Sequence, residues 1–449
     1  MRFHSAQVQV EIEKNGEVFN RSSFPILFNS ISSVKATVRH AEIMNIEITI
    51  TPSFSDALLI LKSGLLGFGK TDKKPEASQS EVTAKSIKPG AGTVAATGTE
   101  NQDPLKNALS GLPIMYVKFS RPGETIVENQ FETPWYVGAI TQPDIQVSGA
   151  EITITLRGYA YGVFFCGPKY MVKVDEDTTA YGLVEDAASL LDHEVIFDSI
   201  DAETQTALKN KKLKPHMRQE TPFDTIKWAL AQEGCMFSIG INPLEGKEKD
   251  KKGNAILIRK LSALFNQQSK YAFYQWRNPD YSSDITQVPC FNFSIESGRS
   301  LFFNGFSFGT YRLGEDSFKK KVIVPEELKT QPITEIDPNN TTGLKADTKA
   351  TLKLGRFTPV REDTEEGKSA TSDIDKSEIE KQLVNFQKFA IEVPGIPNLA
   401  PMDLVDLLIG DIDEFSGKML VTGVTHTFDS SGWNTSIEAR KTGGLEKDS

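Results

Sequence analysis

Short stretches in which apolar and polar residues alternate recur along much of the chain. Residues 8–12, 46–50 and 152–156 each place Val, Ile or Leu at every second position. A period of two directs one face of an extended strand to the core and the other to solvent. The dipeptides Asn15-Gly16 and Ser148-Gly149, which favour tight turns, stand between such stretches. The sequence therefore predicts a β-rich fold built from antiparallel strands.

Helices are predicted where capping signals precede apolar residues at helical spacing. One helix is predicted at 54–66, with Ser53 as N-cap, Asp56 in a capping box and Phe54, Ala57, Leu58, Leu61 and Leu65 as its buried stripe. A second begins after Thr178 or Thr179, and a third begins at Thr221-Pro222-Phe223-Asp224 and ends at Gly234. A strand-like segment, Val195–Phe197, and a hairpin of Met236–Ile241 and Ala255–Ile258 accompany the second and third helices. This combination of helices and short strands predicts a small α+β domain.

The length of 449 residues exceeds what one hydrophobic core usually serves. Large apolar residues nearly vanish from 71–108, and 330–380 is polar, acidic and rich in Thr. Neither segment alone can bury enough apolar surface to offset the conformational entropy that it would lose on ordering. The predicted domains are a first β-barrel at 1–165 with a flexible insertion at 71–108, a small α+β domain at 166–270, the first part of a second β-barrel at 271–329, a long polar excursion at 330–384, and the C-terminal part of the second β-barrel at 385–449.

Composition argues against several classes of protein. The net charge of −10 disfavours binding to nucleic acid through phosphate neutralisation. The densest apolar run, Ala57–Leu61, is too short to span a bilayer, and the first residues do not form a signal peptide. We therefore expect a soluble protein made in a cytoplasm. Cys166, Cys235 and Cys290 form no CxxC pair, which predicts buried or half-buried thiols without a disulfide scaffold or a zinc site.

Two groups of segments resemble the late-control D family of phage tail proteins and the related type VI secretion spike. The first group is Arg218–Asp224, Ala231–Phe237 and Ala255–Ile258. The second is Val393–Leu399, Met402–Val405, Gly417–Val421, Val424–His426 and Trp433–Thr435. The chain departs from the family pattern at Met402, where a glycine is usual.

The resemblance implies two antiparallel tail-tube-like β-barrels around the α+β domain, in a homotrimer that serves as the baseplate hub of a contractile tail. Such a hub links a sixfold tail tube, or its initiator protein, to a threefold central spike and contacts other baseplate proteins. It belongs to the virion, is assembled in the bacterial host cytoplasm, and has no membrane anchor and no catalytic, cofactor or metal residues. DNA passes through its lumen without specific binding, which acidic side chains favour because they repel phosphate.

Two enzymatic alternatives remain open. Gly64–Thr71, which includes Gly69 and Lys70, matches the phosphate-binding P-loop pattern, but a P-loop needs a strand before it and a helix after it. A peptidoglycan-degrading tail lysin using Cys235 is the other alternative, although this cysteine follows a helix-ending glycine into an apolar strand, as inert thiols do.

Other conspicuous residues have structural interpretations. His426 is predicted to be a packed or interface histidine, and His193 and His216 lack metal-ligand spacing. The carboxylate pairs Glu185-Asp186 and Asp411/Asp413 lack apolar surroundings. Lys249–Lys252 is predicted to be a solvated hairpin tip, and the phenylalanines at 291–308 to form barrel core or face a neighbouring subunit.

Overall fold

The structure, a computed structural model, describes most of the chain apart from the two predicted long loops. The insertion at 71–108 and most of the excursion at 330–384 lie outside the described residues. These are 6–66, 112–126, 129–149, 151–167, 169–189, 194–197, 202–213, 216–231, 233–241, 252–260, 264, 267–275, 285–297, 305–310, 319–323, 357–361, 387–410 and 416–443.

The chain divides into two compact units, and both are discontinuous in sequence. Unit 1 comprises Met1–Arg259, Pro394–Pro401 and Gly423–Ser436, and unit 2 comprises Lys260–Val393, Met402–Thr422 and Ile437–Ser449. The predicted five-part domain division stays a prediction.

The first part of unit 1 is an antiparallel sheet. Its strands are β1 (Gln7–Lys14), β2 (Glu17–Phe19), β3 (Ile31–Arg39), β4 (Asn45–Ile50), β5 (Ile114–Ile126), β6 (Asn129–Glu132), β7 (Tyr136–Ser148) and β8 (Glu151–Tyr159). The predicted alternation is confirmed, since Ile46, Ile48 and Ile50 are buried between half-buried polar residues. Asn15 and Gly16 have φ of 53° and 82°, as the predicted tight turn between β1 and β2 requires.

Two helices accompany this sheet, Pro25–Asn29 and Phe54–Lys62. Ser53 caps the second helix, because its hydroxyl oxygen accepts the Asp56 backbone N–H, as predicted. The predicted buried stripe was wrong in part. Of its members, Ala57 is buried and Leu61 is half-buried, whereas Phe54 and Leu58 are exposed, and Ile60 is buried without having been predicted. The helix ends at Lys62 rather than at residue 66, so the buried Leu65 lies beyond it.

The second part of unit 1 mixes helices with short strands. They are a 3-10 helix (Tyr161–Cys166), β9 (Tyr170–Val174), the helix Ala180–Ser189, β10 (Glu194–Phe197), the helix Ala202–Asn210, β11 (His216–Glu220), the helix Pro222–Ala231, β12 (Cys235–Gly240) and β13 (Ala255–Lys260). Strands β10, β13 and β12 form one sheet, and β9 pairs only with β11 among the described strands. The caps Thr179 and Thr221 are confirmed, since their hydroxyl oxygens accept the backbone N–H of Gly182 and Asp224 at 3.1 Å each.

Unit 2 contains β14 (Tyr271–Gln275), β15 (Thr286–Pro289), β16 (Asn292–Ser297), β17 (Gly305–Thr310), β18 (Lys319–Ile323), β19 (Phe357–Arg361), β20 (Gln387–Pro394) and β21 (Leu404–Ile409). Strand β14 pairs in parallel with β15 and β21, and β16 pairs antiparallel with β20. Alternation along one strand does not reveal the direction of its neighbour, so the parallel pairings were not predicted.

Two long C-terminal strands, β22 (Gly417–Asp429) and β23 (Gly432–Gly443), contribute residues to both units. In unit 1, Gly423–Phe428 of β22 pairs with β3, which gives the open order β22-β3-β4-β8-β7-β5-β1-β2. In unit 2, the beginning of β22 pairs with β21. The predicted β-rich α+β fold class is confirmed.

Candidate functional site

The glycine-rich segment at Gly64 does not have the surroundings that a P-loop needs. The residues before it, including Leu58–Leu61, belong to the helix Phe54–Lys62 rather than to a strand. Gly64 has φ of 69°, as expected for a glycine just after a helix end. The rest of the motif, through Thr71, lies outside the described residues.

The three thiols lack the features of activated nucleophiles. Burial raises the pKa of Cys290 to about 12. Cys166 is exposed, so the prediction of a buried or half-buried thiol was wrong for this residue. Partial desolvation and, second, the charge of Asp224 raise the pKa of its thiol. Cys235 is buried at the beginning of β12, with Sγ 3.8 Å from the Glu233 carbonyl oxygen. An inert role for Cys235 agrees with this environment.

The other titratable groups do not assemble a metal site within the described part of the chain, where no group of three His, Cys, Asp or Glu could hold a metal ion. His216 begins β11, while His193 and the pair Asp411/Asp413 lie outside the described residues. In the pair Glu185-Asp186, burial and then the neighbouring Glu185 raise the pKa of Asp186.

His426 lies in the core of unit 1 and accepts two hydrogen bonds at Nδ1. The Trp433 indole N–H, which can only donate, lies 3.2 Å from this nitrogen. The Thr435 hydroxyl lies 3.0 Å from it and accepts the Ile396 backbone N–H, so its own proton is directed to His426. The neutral ring therefore carries its proton on Nε2, which has no hydrogen-bond partner among the described residues.

Aromatic rings surround this imidazole. The Phe119 and Tyr136 ring centroids lie 5.4 and 5.7 Å from that of His426, and Phe119 also stacks on Trp433 at 5.8 Å. Burial in this apolar setting lowers the pKa of His426 to about 3. The prediction of a packed histidine is consistent with these contacts, which make His426 a structural residue.

Of the predicted hairpin tip Lys249–Lys252, only Lys252 lies within the described residues; it is exposed, and it also forms an ion pair. Its ammonium pairs with the Glu11 carboxylate and lies 4.6 and 4.7 Å from the ring centroids of Tyr116 and Trp135. The Tyr116 hydroxyl donates to Glu13 at 2.7 Å. Lys252 thus links the residues before β13 to β1 and β5 within unit 1.

Exposed apolar side chains form two groups in unit 1. The first, here called the hairpin patch, consists of Val18 on β2 and of Phe54, Leu58 and Leu59 on one helix. The second, here called the methionine ribbon, is the β9–β11 pair with the exposed Met171 and Met217.

A cavity of about 330 Å³ lies beside the β1–β2 hairpin. Its lining comes from the β1–β2 hairpin, from Phe24 before the first helix and from the residues that follow the helix Phe54–Lys62. These residues are Lys14, Asn15, Glu17, Phe19, Phe24, Ser63, Gly64 and Leu65.

Only some of the phenylalanines at 291–308, which were predicted to form barrel core or face a neighbouring subunit, have side chains among the described residues. Phe291 is 57% exposed, so it does not belong to a core. Phe293 on β16 is half-buried, and the side chains of Phe302, Phe303, Phe306 and Phe308 lie outside the described residues.

No known family model matches the chain, and no curated protein sequence matches it. Its fold is that of phage tail proteins. The chain is similar over 97% of its length to the 43 kDa tail protein of prophage MuSo2 from Shewanella oneidensis, with 12% identity, a TM-score of 0.51 and 98% of that chain covered. It is also similar over 97% of its length to the tail protein from Neisseria meningitidis MC58, with 10% identity, a TM-score of 0.52 and 96% of that chain covered. No helix within the described ranges is long and apolar enough to cross a membrane.

Proposed function

We propose that this protein is a structural component of a phage-type contractile tail, and specifically the hub of its baseplate. The observation that carries the proposal is the full-length fold similarity to two tail proteins, which extends over both units rather than over one module. In this role a homotrimer links a sixfold tail tube to a threefold central spike and contacts other baseplate proteins.

The physical properties of the chain support an assembly role. Among the described strands, β2 is the last in its sheet order, and a strand edge without a partner is a liability that subunit pairing removes. The net charge of −10 suits a lumen that DNA traverses without being retained, since carboxylates repel phosphate. Burial of Cys235, whose Sγ lies 3.8 Å from the Glu233 carbonyl oxygen, favours a structural thiol over the nucleophile that the lysin alternative requires.

The mass of the purified protein in solution tests the proposal. Light scattering after size exclusion is expected to give three times the chain mass of 49.6 kDa, and electron microscopy is expected to give rings. A protein that stays monomeric over a hundredfold concentration range, alone and with tube and spike proteins, contradicts the hub. Zymography on peptidoglycan addresses the lysin, which clearing lost in Cys235→Ala would favour.

A further inference from the structure

We propose that Asn15, in the turn between β1 and β2, is a site of spontaneous deamidation, in which the side-chain amide is lost and an isoaspartate link to Gly16 forms. The reactants are the protein itself and water, so this chemistry does not depend on the proposed function. The turn combines an asparagine followed by glycine with an exposed position and with a backbone N–H that lies outside the strand ladder.

The reaction passes through a five-membered succinimide ring. The backbone nitrogen of Gly16 gives up its proton to hydroxide and bonds to Cγ of Asn15, while the Cγ–Nδ2 bond breaks and the amide nitrogen takes up a proton from water and leaves as ammonia. Water then opens the ring at one of its two carbonyl carbons. Cleavage at Cγ gives aspartate at position 15, whereas cleavage at the main-chain carbonyl carbon gives isoaspartate, through which the chain runs by way of Cβ. No group is oxidised or reduced.

The backbone of the turn leaves the attacking nitrogen accessible. Asn15 and Gly16 are both exposed, with φ of 53° and 82°. Lys14 pairs with Glu17 across the turn, so the ladder hydrogen bonds join these two residues and do not include the Gly16 N–H. Apart from its chain neighbours, no described residue has an atom within 4 Å of the place that a Cβ of Gly16 would occupy, which leaves room for the ring.

Ring closure requires the turn to open locally, and strand β2 opposes this opening only weakly. The strand has three residues, pairs with β1 at three positions and has no other partner among the described strands. Segments held by few hydrogen bonds open at a small cost in free energy. Because Gly16 has no side chain, its nitrogen can approach the Asn15 amide carbon closely once the turn is open.

Two other asparagines provide comparisons within the same chain. Asn398 is exposed and has φ of 59°, close to that of Asn15, but it precedes the buried Leu399. Asn434 precedes Thr435, which is fully buried and branched at Cβ. The side chains of these following residues hinder the approach of their own nitrogens. We therefore expect Asn15 to lose ammonia at least tenfold faster than either of the other two asparagines.

The isoaspartate product changes the hairpin. It inserts one further backbone atom between positions 15 and 16, so a two-residue turn no longer sets Lys14 opposite Glu17. It also adds a carboxylate near that of Glu17, and Asn15 and Glu17 both line the cavity of about 330 Å³. We therefore expect the pairing of β2 with β1 to loosen as the protein ages.

Ageing of the purified full-length protein tests the chemistry. The protein is incubated for two weeks at 37 °C at pH 6, 7.5 and 9, and peptides are then analysed by tandem mass spectrometry and with protein isoaspartyl methyltransferase. Isoaspartate is expected as the major product at Asn15, at a rate that rises with pH because hydroxide removes the Gly16 proton. The proposal is overturned if Asn15 reacts no faster than Asn398 and Asn434. It is also overturned if Asn15 reacts in 8 M urea but stays amidated in the folded protein.

Hydrogen exchange of residues 14–20 tests the structural consequence. The variant Asn15→Gly is the matched control, because a Gly-Gly dipeptide favours the same turn but has no amide to lose. Ageing is expected to speed the exchange of this segment at least twofold in wild type and to leave it unchanged in Asn15→Gly. Unchanged exchange in an aged wild type that contains isoaspartate would refute the loosening of β2 while the modification site stands.

Discussion

The buried imidazole of His426 makes the stability of unit 1 depend on pH within a defined window. In the folded protein burial holds the pKa of His426 at about 3, whereas an exposed histidine has a pKa of about 6.5. Protonation of Nδ1 would also break the hydrogen bond from Trp433, because both groups would then be donors.

The sign and the magnitude follow from proton linkage. Above pH 6.5 the ring is neutral in both states, and the stabilising contacts are fully present. Between pH 6.5 and 3 the unfolded chain binds a proton that the folded chain does not, so the free energy of unfolding falls with decreasing pH. The slope approaches about 1.4 kcal/mol per pH unit, which amounts to about 2.5 kcal/mol between pH 7 and pH 4.5.

The variant His426→Asn isolates this contribution. Its amide oxygen can accept the Trp433 and Thr435 hydrogen bonds in place of Nδ1, but it does not titrate. We expect His426→Asn to be less stable at pH 7 by about 1–3 kcal/mol, because ring packing against Phe119 is lost.

Urea unfolding of wild type and variant, followed by tryptophan fluorescence at pH 7 and pH 4.5, measures the difference. Between pH 7 and pH 4.5 the stability difference should move by about 2.5 kcal/mol in favour of the variant, so the variant should equal or exceed wild type at pH 4.5 if its deficit at pH 7 is below that value. If both proteins lose equal stability over this interval, the imidazole is not held neutral and the reasoning is refuted. Carboxylates and the other histidines are common to both proteins and cancel in the comparison.

Three further substitutions have defined outcomes in unfolding experiments. Met402 is buried and has φ of 76°, a left-handed backbone conformation that strains any residue except glycine. Met402→Gly and Met402→Ala both lose the side chain, but only glycine relieves the strain, so Met402→Gly should be about 1 kcal/mol more stable than Met402→Ala. Equal stabilities of the two variants would contradict backbone strain at this position. Gly395→Ala should cost at least about 1–3 kcal/mol, because a Cβ there would overlap the Trp433 indole, and an unchanged midpoint would exclude this close packing. Lys252→Met keeps the apolar stem of the side chain but removes the charge that pairs with Glu11. Because this ion pair is partly exposed, the variant should lose less than about 1 kcal/mol of unfolding free energy in low salt and almost nothing at 1 M salt. A loss of stability that does not depend on salt would show that the charge is not responsible.

Local features of the fold could be read from the sequence because they depend on neighbours in the chain. The hydroxyl of Ser53 or Thr221 caps the helix that follows it, and Asn15-Gly16 forms a tight turn. Both features depend on residues close in sequence and not on the rest of the fold. Polar residues at every second position likewise set which face of a strand is buried. These elements lie where the sequence predicts them.

Features that depend on distant segments could not be predicted in the same way. The helix Ala202–Asn210 was missed because it buries only Thr204 and Leu208, which leaves almost no apolar stripe. Phe54 fits a helical stripe by spacing, yet it is exposed, since spacing gives a face but not the element that covers it. The methionine ribbon was missed for the same reason. The outward face of a five-residue strand can be identified only when it is known which of its residues are buried.

The C-terminal residues complete unit 1, and this arrangement has a consequence for folding. Gly423–Phe428 covers the edge of β3, and Trp433 stacks on Phe119, more than three hundred residues away in sequence. Such long loops must close before these contacts stabilise anything, which slows folding. A chain cut after Val393 would leave the edge of β3 unpaired and the Phe119 ring without its stacked indole, and unit 1 would lack the packing that holds its sheet. The sheet of unit 1 and its Phe119–Trp433 stack are therefore complete only in chains that have been synthesised through β22 and β23.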